Sequence, residues 1–239
     1  MKTITSSNHP LVKHFVKLRT QRKERESTQS VLLLGKKMLQ PRLKTIVVTD
    51  EKWIPEDVVY EQVLLVSESV MKKIWGVASP EAVAAVAALP AFQSLEGMRR
   101  ILALDGVSDP GNMGTLIRTA LAFEWDGVFL LEGSCDPFND KALRAAKGAT
   151  FSLPLARGNW EELNALISKN CACALVADLE GHPPPEKLNE PVVLVLGNES
   201  LGVSDAALRH CQPITLSISQ KIESLNVAIA GGILLYELR

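Results

Sequence analysis

Three short polar segments, each following an apolar run, carry the side chains that could do chemistry. The first is DGVSDPGNMGTLIRTALAF (105–123), in which Asp109-Pro110-Gly111-Asn112 reads as a turn and a helix begins near Met113. Arg118 falls about one and a half turns into that helix, among Leu116, Ile117, Ala120, Leu121 and Phe123. The second is VVLVLGNESLG (192–202). There Gly197 permits a close backbone approach, Asn198 and Glu199 project from a strand end, and Gly202 closes the turn. The third is ITLSISQKIESLNVAIAGGILLYEL (214–238), where a short strand from Ile214 to Ile218 leads into a polar loop and Ser224-Leu225-Asn226 opens an apolar helix.

An arginine whose pKa lies above about 12 is a poor general base, but it places and stabilises a negatively charged oxygen well. Each feature also has a structural explanation. Arg118 can pair with a nearby acid, Glu199 can serve a helix dipole, and Ser224 can cap the last helix. Familiar alternatives are missing: there is no GxGxxG after a strand, no GxxxxGK[ST] and no GxSxG. Dinucleotide binding, a phosphate loop for ATP and a serine hydrolase elbow are thereby disfavoured.

The elements that must position these groups alternate along the chain. The runs ILALDG (101–106), GVFLLEG (127–133), CACALVADL (171–179) and PVVLVLGNE (191–199) read as buried strands, separated by helical stretches near 113–124, 138–147 and 159–170. That alternation predicts an α/β fold with a mostly parallel sheet covered on both faces, whose ligands sit beyond the carboxyl ends of the strands. Upstream, an amphipathic helix over 10–25 precedes strands at 31–35, 44–50 and 62–67, a helix-forming or loop segment at 69–75 and an Ala/Val-rich stretch between Pro80 and Pro90 that can be a strand. The first 90 residues thus form a small α/β domain, with a boundary between about 90 and 99 and a second domain over 97–239. The almost wholly apolar final helix must be buried on nearly all sides. Its Gly231-Gly232 pair, costly by about 1 kcal/mol per glycine relative to alanine, points to close helix packing, within or between subunits.

Charge is strongly polarised although the 239 residues sum to −1. Residues 1–44 hold eleven Lys/Arg against two acids, and the remainder fifteen against twenty-five. A basic arm that binds a polyanion fits this pattern, with Lys13, Lys17, Arg19, Arg22 and Lys23 as its contacts; a solvated helix face fits it as well. His9 and His14 lie in the same stretch. The composition, 46% hydrophobic and 22% charged, is that of a chain with an ordinary core. The four cysteines include a CxC but no CxxC pair, so a reducing compartment and no structural metal are expected. The longest apolar stretch, Val227–Tyr236, is about half of what a membrane-spanning helix needs. With no apolar leader the default location is the cytosol, and a mature organelle protein would look the same.

Together the three segments resemble the motifs of the SpoU family of RNA ribose 2′-O-methyltransferases in the SPOUT superfamily, in the family's order and spacing: DPGNMGTLIRTALAF, LVLGNESLG and ESLNVAIAGGILLYE. The match covers about residues 100–239; ITSSNHPLVKHFVKL more loosely resembles the start of the family's small RNA-binding domain. The resemblance implies a parallel-sheet methyltransferase domain with a C-terminal trefoil knot, a rare exception to ordinary chain topology, preceded by a small α/β RNA-binding domain. It also implies S-adenosylmethionine as cofactor, tRNA or rRNA as substrate, a homodimer with the active site near the interface, and no metal.

Carried over by position, contacts to S-adenosylmethionine fall on Leu196, Gly197, Leu216, Ile218 and Leu225, with Asn198 adjacent. The catalytic or RNA-facing set falls on Asn112, Arg118, Glu199, Ser224 and Asn226. In this scheme Arg118 fixes the 2′-oxygen and the adjacent phosphate, Glu199 orients Arg118 or Asn112, and Ser224 and Asn226 hold loop and substrate. The chain departs from the family at Leu216-Ser217-Ile218, at Gln220 and at Ala146. A non-catalytic RNA-binding or ribosome-assembly member of the same fold is the alternative.

Overall fold

The apolar runs form strands and the periodic segments between them form helices. A computed structural model describes residues 1–185 and 188–239. In chain order the elements are β1 (Lys2–Ile4), α1 (Pro10–Thr20), α2 (Arg22–Thr28), β2 (Ser30–Leu34), β3 (Arg42–Val48), β4 (Val59–Val66), α3 (Glu68–Trp75) and β5 (Val83–Ala88). There follow β6 (Arg100–Leu104), α4 (Pro110–Ala122), β7 (Gly127–Leu131), α5 (Asp140–Ala146), α6 (Ala149–Ser152), β8 (Leu155–Gly158) and α7 (Trp160–Lys169). The chain ends with β9 (Cys173–His182), β10 (Val192–Leu196), α8 (Asp205–His210), β11 (Gln212–Ile214) and α9 (Val227–Glu237). It divides into two compact units, residues 1–90 with 138–148, and residues 91–137 with 149–239. Segment 138–148, read from the sequence as part of the downstream domain, clusters with the first unit because α5 packs against β2.

The first unit is built on a five-stranded sheet of order β1-β4-β3-β5-β2, parallel from β1 to β3, with β5 antiparallel to both its neighbours. Val12, Phe15 and Leu18 of α1 and Val70, Met71 and Ile74 of α3 bury one sheet face against Leu32, Val47, Leu64 and Val86. The basic helix expected over 10–25 is broken at Gln21, whose backbone is extended. Arg25 is the reason. It turns inward, and its guanidinium caps the end of α1 by donating to Leu18 O (2.6 Å) and Arg19 O (3.1 Å).

The second unit holds six parallel strands in the order β11-β9-β10-β6-β7-β8. The chain runs outward from β6 through β7 to β8, then returns on the far side of β6 to lay down β9 and β10. The order therefore reverses between β6 and β10, the switch point where an open parallel sheet leaves a crevice at its carboxyl edge. Leu163, Leu166 and Ala207, from α7 and α8, cover one face. Helices α4 and α9 pack on each other, and α9 also on β10. Trp125 is buried with its indole N–H on Leu235 O at 3.0 Å. The strand expected over 214–218 is shorter and earlier, Gln212–Ile214, and continues as a loop.

Helix α9 is not buried on all sides within the chain: Ile229, Ile233 and Tyr236, at helical spacing, are exposed. Its two glycines also differ. A Cβ on Gly231 would meet Leu196 Cδ1 at 2.5 Å and Leu116 Cδ2 at 2.6 Å, both on buried side chains, whereas one on Gly232 would have only Thr119 Cγ2 at 3.7 Å. The close packing that excuses Gly231 is thus internal. Gly232→Ala should raise stability by up to about 1 kcal/mol through helix propensity. Gly231→Ala should fall below Gly232→Ala by about 1–3 kcal/mol, the range for overpacking, when the two are compared by chemical denaturation.

Candidate active site

Both loops at the switch point meet at one carboxylate. Glu199 follows β10, and its Oε2 accepts the Ser108 N–H (2.9 Å) and the Ser108 hydroxyl (2.8 Å). Its Oε1 accepts the Asp109 N–H (3.0 Å) and Asn112 Nδ2 (2.9 Å). These donors lie at or just before the start of α4, where Asp109 is the N-cap through Asn112 N–H (3.0 Å) and Pro110 fills the first position. Glu199 thus serves a helix N-terminus, but that of α4 and not one following its own loop.

A chain of amides extends this contact to the third segment. Asn226 Nδ2 donates to Asn112 Oδ1 at 3.1 Å, and Asn226 Oδ1 accepts the N–H groups of Ala228 (2.9 Å) and Ile229 (3.3 Å) to cap α9. The orientations are forced. An ionised carboxylate only accepts, so Asn112 must turn its nitrogen to Glu199 and its oxygen to Asn226, which leaves the Asn226 oxygen for the helix. Asn112, Glu199 and Asn226 are therefore brought together.

Burial alone pushes the Glu199 carboxyl up. The hydrogen bonds from Asn112 and from the backbone of Ser108, Glu199 itself and Asp109 outweigh it and carry the pKa from its ordinary 4.5 down to about 2. With its oxygens engaged by four donors, this group is an anchor and not a proton acceptor. Nearby, burial first, then the acids Asp136, Glu199 and Asp109, push the Cys135 thiol up to about 12, so it stays protonated and unreactive.

Other sequence-derived candidates are placed differently. Arg118 is exposed on α4 and makes no hydrogen bond or ion pair among the described residues, so Glu199 does not orient it directly. Ser224 is exposed and, again among the described residues, makes no hydrogen bond; the cap of α9 is Asn226 instead. Asn198 uses its amide within the protein: Oδ1 accepts Ser200 N–H (2.8 Å) and Leu201 N–H (2.9 Å), while Nδ2 donates to Gly106 O (2.7 Å). Leu196 gives its carbonyl to Asp105 N–H (2.8 Å) and its side chain lies under Gly231, so neither faces a ligand. Gly197 is buried, and a Cβ there would strike Gly202 O at 2.5 Å, so only glycine fits this turn.

Leu216, Ile218 and Leu225 are half-buried in the loop after β11. The backbone N–H groups of Leu216, Ser217 and Ile218 find no acceptor among the described residues. Free amide donors beside half-buried apolar side chains fit a flat heteroaromatic ligand such as an adenosyl group. Among the described residues no group of three or more His, Cys, Asp or Glu is arranged to hold a metal ion.

In the basic arm, Lys13, Lys17, Arg22 and Lys23 are exposed, and Arg22 pairs with Glu26 at 2.7 Å. Arg19 is half-buried and its Nη1 is engaged, capping α3 by donating to Lys73 O (3.3 Å) and Ile74 O (2.7 Å) over Gly76, where φ is +69° and a side chain would collide with it. His9 caps α1 through Leu11 N–H (3.2 Å), and His14 contacts Glu24 at 2.8 Å. Sequence reasoning missed Asp105, Ser108, Ser134 and Ser204, which hold the loops. Only Ser204, preceding Asp205-Ala206-Ala207, carried a local signal, that of an N-cap.

A parallel sheet with polar loops converging on its switch point, and this set of Asn112, Glu199 and Asn226, define a class. The profile of the SpoU rRNA Methylase family matches residues 99–236, and the chain belongs to that family. Among its relatives is the 23S rRNA (guanosine(2553)-2′-O)-methyltransferase RlmP of Bacillus subtilis, 38% identical with both chains covered in full. An AdoMet-bound rRNA methyltransferase from Sinorhizobium meliloti superposes with a TM-score of 0.86 at 31% identity, over 99% of this chain and 96% of that one. The SpoU methyltransferase AviRb from Streptomyces viridochromogenes shares the fold, with a TM-score of 0.83 over 96% of each chain.

The lowered pKa of Glu199 makes its contribution to stability pH-dependent. A carboxyl whose folded pKa is depressed stabilises fully above its ordinary 4.5 and loses that contribution as pH falls through about 2. The melting-temperature gap between wild type and Glu199→Gln should be full at about pH 6 and close progressively below about pH 4.5. A gap that does not change with pH would contradict an ionised anchor.

Proposed function

We propose that this protein transfers a methyl group from S-adenosylmethionine to a ribose 2′-hydroxyl of large-subunit ribosomal RNA. The observation that carries this reading is the Glu199–Asn112–Asn226 chain, which ties the three polar segments together at the switch point. The RlmP relative, similar over its whole length, supports ribosomal over transfer RNA.

S-adenosylmethionine supplies an electrophilic methyl on a sulfonium, so the protein's task is chiefly to place the accepting oxygen in line with it; such orientation can supply about 7–11 kcal/mol. Leu216, Ile218 and Leu225, with the buried turn at Gly197, are the residues that would hold it. Arg118 has no partner to surrender among the described residues, and its permanent charge fits the ribose oxygen and neighbouring phosphate. The proton leaves to phosphate or solvent, since Glu199 is saturated by donors. Ser224 and Asn226 border the same loop on the RNA side.

Lys13, Lys17 and Lys23, exposed without paired acids among the described residues, are the RNA contacts of residues 1–90, and Arg22 joins them at the expense of its Glu26 pair. The reading includes a homodimer. Ile229 (56% exposed), Ile233 and Tyr236 (51% exposed) line one stripe of α9 that a second copy would cover. It also includes the trefoil knot of the family over the C-terminal segment, and a place in the cytoplasm alongside ribosomal RNA; no described helix is long and apolar enough to cross a membrane.

The test is to map 2′-O-methyl groups in ribosomal RNA from cells with and without the protein, where loss of one mark supports the reading and an unchanged map rejects it. Arg118→Ala should abolish transfer while leaving cofactor affinity nearly intact, and turnover near wild type would remove its role. Replacing Lys13, Lys17 and Lys23 together by Ala should weaken RNA binding and flatten the log–log salt dependence by roughly two to three units.

A further inference from the structure

The turn Asp105-Gly106, at the end of β6, is held by three other parts of the second unit. Asp105 N–H donates to Leu196 O (2.8 Å), and Gly106 O accepts Asn198 Nδ2 (2.7 Å). From the loop after β7, Ser134 Oγ accepts Gly106 N–H (3.1 Å) and donates to Leu104 O (2.8 Å). The last grip is the shortest: the Asp105 carboxylate takes the Ser204 hydroxyl at 2.5 Å, the length of a charge-assisted bond. Ser204 meanwhile accepts Ala207 N–H (3.1 Å) as the N-cap of α8.

These contacts have a common geometry. Leu196 and Asn198 stand at the beginning of the loop 197–203, and Ser204 stands just past its end. The loop is cross-tied internally by paired backbone bonds between Asn198 and Gly202, at 2.9 and 3.0 Å. Through Asp105 and Gly106, both ends of the loop are fastened to a single two-residue turn. Without the carboxylate, the turn would grip only the loop's beginning.

We propose that Asp105 is a positioning residue for the methyl donor: acting through Ser204, it fixes the far end of loop 197–203 and so pre-forms the cofactor-binding surface. The proposal rests on the S-adenosylmethionine reading given above. A surface ordered before the ligand arrives loses less freedom on binding, so cutting the clasp weakens cofactor affinity. The acceptor side is spared, because Glu199 is anchored separately by Ser108, Asp109 and Asn112. The split between affinity and turnover is what separates this role from simple stabilisation.

The experiment is calorimetric titration of the full chain with S-adenosylmethionine, combined with kcat at saturating cofactor and hydrogen exchange over 200–204. Asp105→Ala and Ser204→Ala should each weaken binding roughly tenfold, the scale of one charge-assisted hydrogen bond. The double variant should be no weaker than either single by more than about twofold, since both remove the same contact. Asp105→Ala leaves the cap of α8 in place, and Ser204→Thr, which keeps the hydroxyl, should restore affinity. In the ligand-free singles, exchange over 200–204 should quicken while kcat stays within about twofold. Asp105→Asn, which preserves shape, gives an intermediate loss and serves if the alanine variants do not fold. Affinity unchanged in Asp105→Asn and Ser204→Ala, additive losses, or a fall in kcat at unchanged KM would each overturn the proposal. Absence of saturable heat with the wild type would instead remove the donor reading on which it stands.

Discussion

A carboxylate that can only accept hydrogen bonds dictates the arrangement of everything around it. Because Glu199 is ionised, the Asn112 amide is turned one way, the Asn226 amide follows, and the first N–H groups of α9 receive the oxygen that remains. Three stretches of chain, separated by up to 114 positions, are thus aligned by a rule of donor and acceptor parity. Reversing any one amide would face oxygen to oxygen or nitrogen to nitrogen, so the arrangement holds as a unit.

The parallel sheet makes this convergence possible. Strands β6 and β10 are adjacent, with Leu104 opposite Leu196, so the loops that follow them emerge side by side although about ninety residues lie between them. Tight backbone approach completes the fit at Gly197 against Gly202 and at Gly231 against Leu196 and Leu116. The contact is therefore a property of the sheet's carboxyl edge, with Asn112 in the first turn of α4 and Asn226 at the N-cap of α9 reaching it from the helices.

Much of this was legible in the residues. Four of the six downstream strands, β6, β7, β9 and β10, follow from uninterrupted apolar runs, whereas the short β8 has no such run, and the three polar segments stand out because glycine, asparagine and charged residues interrupt those runs where strands end. What was not legible depended on partners remote in sequence. The break at Gln21 exists because Arg25 folds back on α1, and nothing local distinguishes an inward arginine from a solvated one. Arg19 reads as a basic-face residue until α3 is placed beneath it. Ser224 and Asn226 are equally good caps by type, and the choice falls to Asn226, whose amide also meets Asn112. Helix α5 has the right periodicity, but only packing against β2 reveals the unit it joins.

The double duty of Asn226 sets it apart from the other residues that can cap a helix. An aspartate at this position would cap α9 as well as the asparagine does. Toward Asn112, however, it presents an oxygen where a nitrogen stood. Two oxygens would then face each other and the tie between α4 and α9 would be lost, so this position is fixed as asparagine by its second partner as much as by the helix it caps.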